Sequence, residues 1–175
     1  MVENELDMGH FSVVHRGTIG NRDVPLPLSS EIIDLGPTSL RLCSEISVRT
    51  VGQQQKNTRS EVEISSRVMN VTWFAPFVIR LQLAYPSGLR HVVINHPTPI
   101  DDNHIQVLQF HYRDDTQEET PDADLISFER RILDEDKYAL ESTDPYFPLD
   151  SGSEAHMSTD RAGLLFRSKL KRLLE

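Results

Sequence analysis

The spacing of apolar and polar residues changes three times along this chain, and each change predicts a different element. Residues 4–10 suit a short helix, which would bring Asp7 and His10 onto one face three residues apart. From residue 40 to 113 the period shortens to two. Leu40-Arg-Leu-Cys-Ser-Glu-Ile-Ser-Val48 and Phe77-Val-Ile-Arg-Leu-Gln-Leu-Ala-Tyr85 alternate apolar with mostly polar positions, as half-buried antiparallel strands do. Pro86-Ser87-Gly88 and Asp101-Asp102-Asn103 are turn sequences, and they set off two further strands at 91–95 and 105–112, giving a meander. The acidic stretch 114–124 reads as a solvated loop.

Helical periodicity returns over 128–141. At 100° per residue from Phe128, the apolar residues Ile132, Leu133, Ala139 and Leu140 centre at about 60–70°, and Asp136 falls at about 80°. Asp136 therefore lies in the middle of the buried stripe, with Asp134 nearly opposite and Glu135 at the stripe's edge. An unpaired buried carboxylate costs several kcal/mol, so Asp136 needs a partner, and a metal ion would be one. Residues 143–158, with Pro145, Pro148 and Gly152, read as irregular. A closing helix over 160–174 aligns Ala162, Phe166, Leu170 and Leu173. Helix, long antiparallel sheet, then two helices is the order of an α+β domain with helices against one sheet face.

Composition narrows the chemistry. A chain of 175 residues fits one domain with its own core. The lone Cys43 excludes an intramolecular disulfide and a cysteine-rich zinc site, and it suits a reducing cytoplasm. It also excludes a Rieske cluster held by this chain alone, which would need two cysteines and two histidines. With 27 acidic and 18 basic residues the net charge is -9, so nucleic acid and anionic membrane surfaces are repelled. The most apolar run, 73–79, is broken by Pro76 and closed by Arg80, and no basic segment leads an apolar one at the N-terminus, so a soluble cytoplasmic protein is expected.

Candidate chemistry concentrates in Asn4, Asp7, His10 and His15, an N-x2-D-x2-H-x4-H arrangement. Two imidazoles and one carboxylate on adjacent positions of iron(II) leave the opposite face open, the layout of non-haem oxygenases. His15 cannot share an ideal helix face with His10: five residues turn a helix by about 500°, roughly 140° off. Both rings meet one ion only if the helix ends between them, which Gly9, Val13, Val14 and Gly17 favour. Asp7 reads as the acceptor that fixes the His10 tautomer, or as a surface acid. Asn4 is either a helix cap or a neighbour of the metal. His91, His96, His104, His111 and His156 are scattered without ligand spacing and read as structural. Trp73, Phe74 and Phe77 read as core.

These residues resemble the catalytic domain of Rieske-type non-haem iron oxygenases (aromatic ring-hydroxylating oxygenase alpha subunits), in the branch containing vanillate O-demethylase and dicamba monooxygenase. That family opens its catalytic domain with a segment like Asn4 to His15 and closes with one like Glu135-Asp136-Lys137. Supporting similarities run through Phe11-Ser-Val-Val-His-Arg-Gly-Thr-Ile-Gly20, Ala75-Pro-Phe-Val-Ile-Arg-Leu81, Tyr85-Pro-Ser-Gly-Leu89, Glu154-Ala-His-Met157 and Asp160-Arg161.

The resemblance implies a helix-grip (START/Bet v1-like) α+β fold over residues 1–175, with a curved antiparallel sheet and helices on one face. It also implies His10, His15 and Asp136 as ligands of a mononuclear Fe(2+), and Asp7 as a bridge to the Rieske cluster of a neighbouring subunit. The implied function is hydroxylation or oxidative demethylation, by mono- or dioxygenation, of an apolar, aromatic or polycyclic substrate with dioxygen. Electrons would come from a two-iron Rieske cluster and an NAD(P)H reductase on partner chains, within a homotrimer. The family's N-terminal Rieske domain is missing from the sequence, which begins three residues before Asn4, so either a truncated reading frame or a split oxygenase is expected. Two rivals stand: a non-catalytic helix-grip carrier of hydrophobic ligands, and a zinc hydrolase using the same histidines.

Overall fold

The computed structural model describes residues 1–175 except 145, 147, 151 and 153, so part of the irregular stretch, including Pro145, lies outside the described residues. Among the described residues, six strands form one antiparallel sheet in sequence order: β1 Ser29–Asp34, β2 Ser39–Arg49, β3 Ile64–Phe74, β4 Val78–Ala84, β5 Arg90–Pro99 and β6 Ile105–Arg113. The helices are α1 Val2–Leu6, α2 Gln53–Thr58, α3 Asp122–Leu140 and α4 Arg161–Leu174. This is the expected helix-grip α+β architecture, a curved open sheet with its helices on one side.

Alternation along β2 follows directly from its sequence: Leu40, Leu42, Ser44, Ile46 and Val48 face inward, and the residues between them are half-buried. The register carries that face across the sheet. Leu40 opposes Trp73, Leu42 opposes Val71, and Val71 in turn opposes Leu81. Leu81 then opposes Val93, and Val93 opposes His111. Trp73, fully buried, meets the ring of Phe166 of α4 edge-on at 5.2 Å and donates its indole N–H to the Pro76 carbonyl. Val2, Leu6 and Met8 join the same core, and α1 packs on α4, β3 and β4.

Several expectations shift at the edges. The helix read over 4–10 stops at Leu6, because the Asp7 carboxylate accepts the Gly9 N–H at 2.7 Å and holds Asp7 extended, a local bond that competes with helix continuation. A separate 3₁₀ turn, Gly9–Ser12, then carries His10. The helix read from 128 begins at Asp122, so the solvated loop ends earlier than expected; within it Asp115 is half-buried and ion-paired with Arg113. In α4, Ala162, Phe166 and Leu170 are buried, but Leu173 is 45% exposed where the helix runs past the sheet.

Candidate metal centre

Two tight turns present the histidines. After the 3₁₀ turn, the His15 carbonyl accepts the N–H groups of Thr18, Ile19 and Gly20 at 3.0, 3.1 and 2.7 Å, folding the chain back on itself. Gly20 makes this possible, since a Cβ there would stand 2.4 Å from the Phe11 carbonyl oxygen. The Arg49 N–H donates to the Ile19 carbonyl and anchors the loop to the end of β2. His10 and His15 thus lean together although helical geometry alone would splay them.

Asp136 meets them from α3. It is 5% exposed, as the stripe geometry requires, while Asp134 is exposed. His10 Nε2 and His15 Nε2 lie 3.1 Å apart, His15 Nε2 is 3.3 Å from Asp136 Oδ1, and His10 Nε2 is 3.6 Å from the same oxygen. Three atoms at these separations lie on a circle of radius about 1.9 Å. Zinc, as a representative first-row divalent ion, binds imidazole and carboxylate at ~2.0–2.2 Å, so the donor set fits one such ion.

Each donor is held by its neighbours. His15 donates from Nδ1 to Glu135 Oε2 at 3.0 Å, and Thr18 Oγ1 donates to the same oxygen at 2.7 Å. That leaves His15 Nε2 with its lone pair toward the centre. Burial first, then His10 and Arg67, pull the His15 pKa down to about 3, so the ring is neutral at ordinary pH. His10 Nδ1 is engaged by the main-chain carbonyl of Asp7. The carboxylate of Asp7 does not reach His10, so the side-chain acceptor expected there is replaced by the backbone of the same residue. Asn4 Nδ2 donates to Asp136 Oδ1 at 2.8 Å, which puts Asn4 beside the carboxylate rather than in a capping role. Burial raises the Asp136 pKa, with the Asn4 hydrogen bond and His10 opposing it.

A cavity of about 50 Å³ opens beside the three donors, between α3 and the sheet. Phe11, Ile19, Leu81, Leu83, Val93, Ile132 and Leu133 make its apolar wall, and Glu5, Arg67, Asn95, Gln109 and Glu129 make it polar elsewhere. Burial, then the nearby Asp136, pushes Glu5 up to about 8, while the 2.6 Å bond from Asn95 works against the shift. Roomier surface clefts lie elsewhere, one between β1 and residues 158–161 and one outside the His15 loop; neither touches His10 or Asp136. Phe77 packs against the core, Trp73 lies within it, and neither these two nor Phe74 lines the cavity.

Glu135 is the functional neighbour that sequence reasoning passed over, although its position at the stripe's edge already aimed it toward α3's flank. Among the other histidines, His96 bonds Thr98, His104 bonds Asp101, and His156 approaches Asp160. His91 and His111, in contrast, are brought together by the β5–β6 register.

Residues 1–175 match the vanillate O-demethylase oxygenase C-terminal domain family. No curated protein sequence matches the chain significantly. Among solved structures it is similar to NdmA of Pseudomonas putida CBB5, in a QL mutant with theobromine, at TM-score 0.73 and 21% identity over 98% of this chain and 45% of that one. The same mutant with caffeine matches at TM-score 0.72 and 22% identity, again over 98% and 45% of the two chains. NdmB of the same organism matches at TM-score 0.65 and 21% identity over 99% and 46%. The chain spans less than half the length of these neighbours, and the likeness is one of fold.

Proposed function

Because the chain belongs to the vanillate O-demethylase oxygenase C-terminal domain family, we propose that it is a catalytic oxygenase domain that holds one iron(II) through His10, His15 and Asp136. The observation that supports this most directly is the triangle of donor atoms, 3.1, 3.3 and 3.6 Å on its sides, built from segments 121 residues apart in sequence at their nearest donors, His15 and Asp136. Iron(II) there supplies the binding and stepwise reduction of dioxygen that hydroxylation or oxidative demethylation requires.

The residues around the ion do the rest. Glu135 and the Asp7 carbonyl fix the two rings, and Asn4 fixes the carboxylate. Phe11, Ile19, Leu81, Leu83, Val93, Ile132 and Leu133 keep water from the reacting face. The substrate is a mostly apolar, aromatic or polycyclic molecule. Ligand pockets usually measure ~300–1,000 Å³, so its entry into a cavity of about 50 Å³ moves side chains of α3 or the His loop outward. Electrons come from a Rieske cluster outside this sequence, which holds a single cysteine, Cys43, and from an NAD(P)H reductase. Asp7, whose carboxylate faces Gly9 rather than His10, is the bridge toward that cluster in a homotrimer. No described helix is long and apolar enough to cross a membrane.

Anaerobic reconstitution tests the reading. The chain should load about one iron(II) tightly; His10→Ala and Asp136→Ala should each abolish that binding, and Asp134→Ala should leave it intact. Loaded chain with a Rieske-bearing donor should then demethylate methoxybenzoates or methylated purines such as the caffeine and theobromine seen in the neighbouring structures. Tight binding of a hydrophobic ligand by chain that takes up no iron would establish the carrier instead.

A further inference from the structure

Around Glu129, which lines the same cavity, a second set of donors converges. His91 of β5, His111 of β6 and Glu129 of α3 each place one ligand atom within 4.8 Å of the others. We infer that these three residues form a second site, for a zinc(II) ion, distinct from the His10–His15–Asp136 centre. Glu129 and Asp136 are seven residues apart on α3, two turns or ~10 Å along the same face, so one helix supplies a carboxylate to each set of donors.

The hydrogen-bond polarity around His111 prepares it as a ligand. Asn95 Nδ2 donates to Glu5 Oε1 at 2.6 Å, which leaves Asn95 Oδ1 to accept from Gln109 Nε2 at 3.0 Å. Gln109 Oε1 is then turned toward His111 Nε2, 2.9 Å away, and accepts its proton. His111 Nδ1 therefore carries the lone pair, and it points at His91 Nε2, 2.9 Å away. An imidazole that gives its other N–H to an amide oxygen is the arrangement ligating histidines use to fix their tautomer. At metal–nitrogen distances of ~2.0–2.1 Å, two imidazoles in tetrahedral geometry stand ~3.4 Å apart, so the pair needs to open by about half an ångström. The His91 proton shifts to Nδ1 when Nε2 binds.

The surroundings keep the donors available. Burial lowers His91 to about 3 and His111 to about 4, so both rings are neutral, as ligands must be. Burial raises Glu129 to about 7; Arg67 and Arg113 oppose that shift, and no hydrogen bond contributes to it. Arg113 is itself paired with Asp115, which offsets part of the positive field at the site. Two imidazoles and a single carboxylate suit zinc, which such a set binds more tightly than iron(II); magnesium and calcium prefer oxygen ligands.

The test is a zinc(II) titration against a chromophoric chelator, with cobalt(II) absorption as a check on geometry. Wild type should bind two equivalents, and a His10→Ala/His15→Ala chain should still bind one. Adding His111→Gln or Glu129→Gln to that chain should weaken the remaining site at least 100-fold; both positions are half-buried, and unchanged circular dichroism shows that the fold is kept. In the unaltered chain, zinc should shift the nitrogen resonances of His91 and His111, a readout that needs no substitution there. A single equivalent in wild type that disappears with His10→Ala would overturn the site. So would a second equivalent indifferent to His111 and Glu129, or zinc that leaves both ring signals in place. None of these outcomes bears on iron at the first centre, so the two readings stand or fall separately.

Discussion

Removing the Glu135 carboxylate should weaken iron(II) binding without touching a donor atom. Glu135 Oε2 holds His15 Nδ1 at 3.0 Å and Thr18 Oγ1 at 2.7 Å. In Glu135→Ala the imidazole is free to carry its proton on Nε2, the atom that faces His10 and Asp136, and the lone pair is then lost to the centre. Loss of a carboxylate that orients a ligating imidazole costs roughly 10–100-fold in metal affinity, or ~1.4–2.8 kcal/mol at 1.4 kcal/mol per tenfold. Apo stability should fall too. Thr18 is buried and keeps only a 3.4 Å contact to the His15 carbonyl, so a loss of ~1–3 kcal/mol is expected. Glu135→Gln retains one amide acceptor for the two donors and should lose about half as much in both measurements. Anaerobic iron(II) competition against a chelator gives the affinity, calorimetry gives the stability, and the exposed Asp134→Ala serves as control. If Glu135→Ala binds iron as tightly as wild type while His10→Ala binds none, His15 is not oriented through Glu135 and the account of its tautomer is wrong.

Asp7→Asn should keep iron at saturating metal, since an amide oxygen still accepts the Gly9 N–H and the Asp7 carbonyl still meets His10, yet turnover driven by a Rieske-bearing partner should drop sharply; normal turnover would make Asp7 a bystander. Gly20→Ala should destabilise the chain by about 3 kcal/mol, because its Cβ would meet the Phe11 carbonyl at 2.4 Å, and an unchanged melting temperature would contradict that packing. Metal-free protein should be most stable near pH 6. Stability from neutral His15, His91 and His111 is full above the ordinary value of 6.5 and is lost as pH falls toward about 3 to 4. Stability from protonated Glu5 and Glu129 is full below 4.5 and is lost as pH rises through about 8 and about 7. Glu5→Gln should therefore shift the optimum upward by about one pH unit, and an unmoved profile in thermal melts would show that Glu5 is not buried as an acid.

The convergence of His10, His15 and Asp136 was legible because two independent signals met on it: the N-x2-D-x2-H-x4-H spacing, and a carboxylate at the middle of an apolar helical stripe. Other parts were silent for physical reasons. β1 is an exposed edge with no alternation to read, and β3 puts Arg67 on its inward face beside Met69, Val71 and Trp73 and buries Thr72 on the other, so its apolar alternation is broken. Asp7 lies beside His10, but its main-chain carbonyl rather than its carboxylate meets the ring, a distinction that sequence cannot make. His91 and His111 look unrelated in sequence. They become neighbours only through the pairing of Val93 with His111, a register fixed by two strands at once.

The split of the donor triangle between segments far apart in the sequence sets a clock on its maturation. His10 and His15 leave the ribosome before α3 does, and 121 positions separate His15 from Asp136. At ~5–20 residues per second, the imidazoles wait roughly 6–24 s for their carboxylate, and Glu135 arrives with it. During that interval the nascent segment offers two histidines on a short, unpacked stretch, too few donors to retain a scarce ion against competitors. On the proposed iron reading, the chain takes up its metal only after the sheet and α3 have been made, and cellular supply must meet a finished fold rather than a growing one.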